Sequence, residues 1–340
     1  YQQSNCTKFI SKIQDVFINL FSFMSSFLIY LLSLLLFSFF LLLCTYSESS
    51  ELIRPLCWML AYINKRRITM AILTDFHTHS YFSGDCDTPT ETMITKAISL
   101  GMTHLCFTEH LDLDYPVREG ESLDFNLATD RYRKEFLALK EKYDKKVHLL
   151  WGVELGLQKH IFSDLHNYTQ THPFDFVIAS SHLCNGGDPY YPDFFEGRSE
   201  EDVYHEYFCS ILENVKNFSD YDVYGHLDYI VRYGPNKDAR YSYEKYRDIF
   251  DTILKTIIEN GKGIELNTGG VKYGLKDLHP ATSILKRYKE LGGEIITIGS
   301  DAHTPENLLG HFPRAGLVLK ECGFQYYTIF KERKPTFIHL

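Results

Sequence analysis

The sequence predicts an α/β protein whose parallel strands close into one barrel-like domain. Three observations predict it. Short apolar runs alternate with helix-length amphipathic stretches from residue 72 to about residue 330, the pattern of β/α units around a parallel sheet. About seven such repeats follow one another without a linker rich in Pro, Gly or Ser. Nearly every apolar run ends on a His or a carboxylate, and the strand ends of an α/β barrel are where its active site is built.

Each element has a local reason. Residues 72–76 form the first apolar run. Thr88-Pro89 with Glu91 supplies an N-cap, a first-turn proline and an acidic first turn for a helix that runs to Leu100 and stops at Gly101. Residues 104–108 read as the second strand, 131–143 as a charged amphipathic helix, 147–153 as the third strand, 161–170 as helix and 174–179 as the fourth strand. Then come helix 202–217, strand 222–224, helix 243–259, strand 263–266, helix 281–291 and strand 294–298. Residues 313–322 and 326–330 add a final helix and strand.

The 340 residues, 44% hydrophobic and 23% charged, have the composition of a folded chain. A net charge of −9 argues against a nucleic-acid-binding protein. Eight dispersed cysteines without a CxxC pair predict a reducing compartment, the cytoplasm. The average hides a difference along the chain. Residues 16–47 carry no charge, and 27–44 are long and apolar enough to span a bilayer. Residues 1–69 hold six Lys/Arg and three Asp/Glu, leaving 29 against 41 in the rest, a net of −12. Three readings of 1–69 stand: translation upstream of a start at Met70, a membrane anchor through 16–47, or a secretory signal. The sequence thus divides into a hydrophobic extension, 1–69, and a barrel, 70–335.

The chemistry lies just after the strands. In order come His77-Thr78-His79 and Asp85, Glu109-His110, Glu154, His182, His226-Leu227-Asp228, and Asp301-Ala302-His303. In a barrel these ends converge, so His77, His79, Asp85, His110, Glu154, His182, His226, Asp301 and His303 point into one cavity. Imidazole and carboxylate together suit Zn, Fe or Mn, and nine groups exceed the needs of one ion, so two or three divalent metals are expected. Clustered ions favour hydrolysis of a phosphate ester. Glu109 alternates away from His110 and serves as a supporting partner. Asp228 either orients His226 or caps the following loop. The nine other histidines, His279 among them, lack strand-end placement and are read as structural or solvent-facing.

These six motifs, in this order, resemble the metal-binding motifs of the polymerase and histidinol phosphatase (PHP) family, from Met70 to Phe330. Phe107-Thr108-Glu109-His110, the 225–235 stretch ending Tyr233-Gly234-Pro235, and Glu265-Leu266-Asn267-Thr268 resemble its monofunctional histidinol-phosphate phosphatases. The resemblance implies a distorted (β/α)7 TIM-like barrel with a trinuclear site at the C-terminal ends of the strands. It implies one metal on His77, His79, Glu154 and Asp301, a second on Glu154, His182 and His226, and a third on Asp85, His110 and His303. It also implies in-line attack by an activated water on a small-molecule phosphate ester, with Asp301, or a water near His303, protonating the leaving alcohol. Arg232 resembles the family's phosphate-contacting arginine. Where relatives often carry a second arginine this chain has Lys272, a point charge in place of a fork.

A cationic substrate implies an acidic rim. The 111–121 loop, with Asp112, Asp114, Glu119 and Glu121, and the 190–196 loop, with Tyr190, Tyr191 and Phe194, are the candidates to cover the mouth. Two alternatives accompany this reading: a PHP phosphoesterase for another phosphate ester, and a membrane-tethered barrel that binds metal without catalysis.

Overall fold

In the computed structural model, which describes residues 72–120 and 123–340, the first seven predicted apolar runs all become strands. They are β1 (Thr74–Thr78), β2 (His104–Leu111), β3 (His148–Gly156), β4 (Phe176–Ser180), β5 (Val223–Tyr224), β6 (Gly263–Asn267) and β7 (Ile296–Gly299). They pair in chain order and in parallel. The hydrophobic stretch 16–47, Met70 and Glu121 lie outside the described residues, and with them the three readings of the extension. Among the described residues no helix is long and apolar enough to cross a membrane.

Among the described residues, seven helices fill the crossovers and the C-terminal end: α1 (Thr90–Ser99), α2 (Thr129–Tyr143), α3 (Phe162–Thr171), α4 (Glu200–Asn217), α5 (Arg247–Glu259), α6 (Thr282–Glu290) and α7 (Phe312–Glu321). Each turns a helical stripe inward, as α5 does with Phe250, Ile253, Leu254 and Ile257. Those stripes and the outward faces of the strands make the main core. The predicted helix 243–259 begins as a 3-10 turn, Tyr243–Tyr246, before α5 takes over.

The barrel is nearly closed. At the C-terminal end, where the motifs lie, Asp301 N donates to His77 O and His79 N donates to Ala302 O, both at 2.9 Å. At the other end β8 (Tyr326–Lys331) abuts β7, with Thr328 Oγ1 accepting from Ile296 N at 3.1 Å. This last predicted strand does not join the sheet; it pairs antiparallel with β9 (Lys334–His339), which the sequence reading missed. The reason lies in Phe330. It turns under the barrel and packs with Phe76, Cys106, Leu150, Phe176, Ile178 and Val223, plugging the interior from below. Arg333 in the hairpin turn ties this plug to Asp222 at 2.5 Å. Phe330→Ala is expected to cost about 3–5 kcal/mol of stability, the usual loss for a buried phenylalanine, with metal content unchanged. Denaturant unfolding beside metal analysis checks this.

Candidate metal centre

The upper layer of the barrel is polar because successive strand residues alternate between the helix layer and the interior. Glu154, fully buried on β3, stands at its centre. Its Oε1 lies 2.9 Å from His226 Nε2 and 3.1 Å from His182 Nε2; its Oε2 lies 3.0 Å from His77 Nε2 and 3.1 Å from His110 Nδ1. Asp301 flanks this group, with Oδ1 at 3.5 Å from His79 Nε2 and 3.9 Å from His77 Nε2. Asp85 stands at the mouth, 3.1 Å from His303 Nε2 and 3.7 Å from His110 Nε2. All nine expected ligands therefore meet in one place. His226 (φ 27°) and Asp301 (φ 55°) hold left-handed backbone just beyond their strands, strain that ordinary loop residues avoid and that clusters at functional sites.

Several ring nitrogens are held from behind so that the other faces the cluster. His77 Nδ1 lies 2.6 Å from Glu265 Oε1, and His182 Nδ1 lies 2.8 Å from Asp112 Oδ1. Against a carboxylate, which only accepts, each Nδ1 donates, and Nε2 is left pointing inward as metal-binding histidines require. His79 Nδ1 rests on Ser83 Oγ at 3.0 Å, and Ser83 in turn donates to Glu109 at 2.6 Å. Glu109 thus supports His79 through a serine. Burial pushes its carboxyl up to about 7, even with the donors from Ser80 and Ser83.

Does this donor set fit metal ions? His79 Nε2 and His110 Nδ1 are buried and lack a hydrogen bond although carboxylate oxygens lie within 3.6 Å of each. Such nitrogens are costly unless something else takes their lone pair. Four groups, His77-His79-Asp301, His77-Glu154-His226, His110-Glu154-His182 and His79-His110-His303, each bring three donor atoms within 4.8 Å of one another. Nitrogen and oxygen donors without thiolate suit Zn, Fe or Mn, and the residues fit more than one ion.

Burial disfavours charge here, but the partners overrule it unevenly. Glu154 and Glu265 hold His77 well above its ordinary range, Asp112 and Glu154 do the same for His182, and Asp85 raises His303. Burial, with the charges of His110 and His303, drives His79 well below. Metal uptake must therefore expel protons from His77, His182 and His303, and affinity should fall as pH falls through their raised values. Calorimetric titration with Zn in buffers of different ionisation enthalpy should show release of at least about one proton per chain at pH 7; no proton exchange would contradict this assignment.

The mouth departs from the expected rim. Asp112 is buried against His182, in space left by Gly156, where a Cβ would come within 1.8 Å of Asp112 Oδ1. Asp114 turns away to His160. Asp188, which the sequence reading missed, lines the cavity together with Asp85, Asp112 and Asp301; it is buried, accepts from Tyr115 Oη at 2.5 Å and stands at the opening with Phe125, Tyr229, Arg232 and Tyr273. The Asp228 carboxylate pairs with His279 rather than with the His226 ring, and His279 is buried rather than solvent-facing.

Arg232 is 4% exposed, with its guanidinium 4.4 Å from the Tyr229 ring centre and 4.6 Å from that of Tyr273. Nη1 lies 3.5 Å from Asp301 Oδ2, while Nε and Nη2 have no hydrogen-bond partner. Lys272 donates to the Asp301 carbonyl at 3.1 Å. The expected cations thus stand beside the carboxylate that faces the cluster.

A nearly closed parallel barrel that buries such a donor set at its C-terminal mouth, beside an arginine with free N–H groups, has the makings of a metal-dependent phosphoester hydrolase. Known proteins agree. The PHP domain signature matches residues 75–269, and the chain belongs to the PHP domain family. The histidinol-phosphatase of Lactococcus lactis subsp. lactis is 32% identical over 261 residues, covering 76% of this chain and 95% of that protein. The probable histidinol-phosphatase of Clostridium acetobutylicum is 34% identical over 265 residues, covering 76% of this chain and 97% of that protein. The crystal structure of histidinol phosphate phosphatase from Lactococcus lactis complexed with Zn, L-histidinol and phosphate matches with a TM-score of 0.70 and 30% identity, covering 78% of this chain and 99% of that one. A structure from Listeria monocytogenes, 20% identical, shares the fold with a TM-score of 0.60.

Proposed function

We propose that this chain is a histidinol-phosphatase, hydrolysing L-histidinol phosphate to L-histidinol and phosphate with two or three divalent ions. The observation that carries the reading is the buried Arg232, whose free Nε and Nη2 stand beside the donor cluster. An anion between them and the cluster satisfies both. In this reading His77, His79, Glu154 and Asp301 hold one ion, Glu154, His182 and His226 a second, and Asp85, His110 and His303 a third. The ions, when bound, supply Lewis acidity and activate a water as nucleophile near neutral pH.

The chain's own residues do the rest. Arg232 receives two phosphate oxygens with its planar fork, and Lys272 adds a nearby point charge. Burial disfavours the Asp301 charge, yet Lys272, His79, His77 and His303 hold its carboxyl well below the ordinary range, so it enters as a carboxylate. Its Oδ2, on the Arg232 side, takes the proton of the attacking water and returns it to the leaving alcohol oxygen. Asp188, Tyr115 and Phe125 give the mouth an acidic and aromatic wall suited to an ammonium and an imidazole. The five described cysteines are all unpaired, in keeping with a reducing, cytoplasmic location.

The test is a substrate panel. The metal-loaded chain should hydrolyse histidinol phosphate with kcat/KM at least about a hundredfold above unrelated phosphomonoesters, nucleotides and phosphotyrosyl peptides, a preference of ~2.7 kcal/mol. Comparable rates across the panel would defeat the substrate assignment.

A further inference from the structure

Outside the donor cluster, the described residues hold a second buried pair of a carboxylate and an imidazole. Asp228 Oδ1 lies 2.6 Å from His279 Nδ1, and Asp228 Oδ2 accepts from Ala281 N at 2.8 Å. The two residues are 2% and 1% exposed, and His279 Nε2 has no hydrogen-bond partner. Facing a carboxylate, Nδ1 must carry the proton. The ring is therefore fixed in one tautomer and one orientation.

The pair joins two strand ends. Asp228 precedes the 3-10 turn Tyr229–Arg232, which delivers Arg232 to the cavity. His279 pairs through its backbone with Asn267 at the end of β6, at 2.6 and 2.9 Å. On its ring lies the next turn, Gly269–Tyr273, which carries Lys272 and Tyr273. The fit is close: a Cβ on Gly270 would sit 2.7 Å from His279 Cδ2 and 2.9 Å from its Nε2. From that turn Lys272 reaches the Asp301 carbonyl, and Tyr273 stacks on the Arg232 guanidinium. The structure assigns Asp228 and His279 as positioning residues that set the separation of the two cations, Arg232 and Lys272, at the phosphate position. This rests on the reading of Arg232 and Lys272 as phosphate contacts.

The experiment uses the full, metal-loaded chain and inorganic phosphate as the probe, with histidinol phosphate kinetics alongside. Arg232→Gln is the control for the underlying reading. If the unsubstituted chain binds no phosphate, or R232Q binds it as well, that reading fails and not merely the inference. With the control satisfied, Asp228→Asn and His279→Ala should each weaken phosphate binding about tenfold and raise KM by a like factor, the size of effect that a sub-ångström shift of a binding group produces. The double variant H279A/K272M should lose no more than about the larger single loss, because both changes act through one turn. A pair that merely held the fold together would lower the active fraction, seen as reduced kcat at unchanged KM and unchanged phosphate affinity; that result overturns the inference, as does an additive double variant. Should H279A fail to fold, Gly270→Ala carries the test, since it pushes the turn off an intact Asp228–His279 pair. The same weakening is expected there, and phosphate affinity equal to that of the unsubstituted chain overturns the inference.

Discussion

Glu154→Gln is expected to abolish turnover and to remove at least one metal ion per chain. Both oxygens of this one carboxylate are shared among four imidazoles at 2.9 to 3.1 Å, so no other single side chain touches as much of the cluster. The amide keeps the shape and one acceptor but loses the charge that offsets bound cations, and its NH2 would face ring nitrogens. Losing metal-assisted activation of the nucleophile and charge neutralisation should cost on the order of 5 kcal/mol of barrier, or ~10⁴-fold in kcat. Metal analysis on the same sample separates loss of the ion from a rearranged but occupied site. Activity within tenfold of the unsubstituted chain would mean that Glu154 is a structural carboxylate.

Arg232→Lys should lower kcat/KM by ~10²–10³-fold, as removal of a preorganised charge-stabilising donor does, while the metal content stays the same. The charge survives this change. What is lost is the fork, held between Tyr229 and Tyr273 with Nε and Nη2 unspent. A lysine offers one ammonium on a flexible stem and cannot give two parallel bonds to a phosphate. An effect confined to KM would mean that Arg232 holds the phosphate equally in the ground state and the transition state; a fall in kcat as well would mean that its contact strengthens in the transition state.

Both expectations draw on residues that were legible in the sequence, and the reason is geometric. Parallel strands closed into one barrel bring their C-terminal ends to one rim, so a histidine or carboxylate at each run's end declares a shared destination before any coordinate is known. The fold was legible for the same reason, since periodicity marks strands and crossover helices wherever one face of each is buried. What stayed hidden depends on distance in space. Glu265 supports His77 from 188 residues away, Asp112 supports His182 from 70, and Asp228 holds His279 from 51. Only one of these carried a signal: Glu265 breaks an apolar strand, Gly263–Asn267, where a buried acid needs a partner. Asp112 was read as a rim acid and Asp188 was not read at all, because exposure is set by loop packing that no local pattern encodes. The C-terminal hairpin was half read. Phe330 belongs to an apolar run like any strand residue, and nothing nearby in sequence says that its ring closes the floor of the barrel.

The central claim is that the clustered imidazoles and carboxylates work by holding metal for phosphate-ester hydrolysis. The measurement that tests it most directly is the rate of histidinol phosphate hydrolysis by the full chain, stripped of metal and then titrated with Zn, Fe or Mn, against ions bound per chain. The account predicts negligible turnover in the stripped protein and a rate that rises to a plateau at two or three ions per chain. Turnover that persists without metal, or a chain that fills with ions and stays inert toward histidinol phosphate, would contradict it.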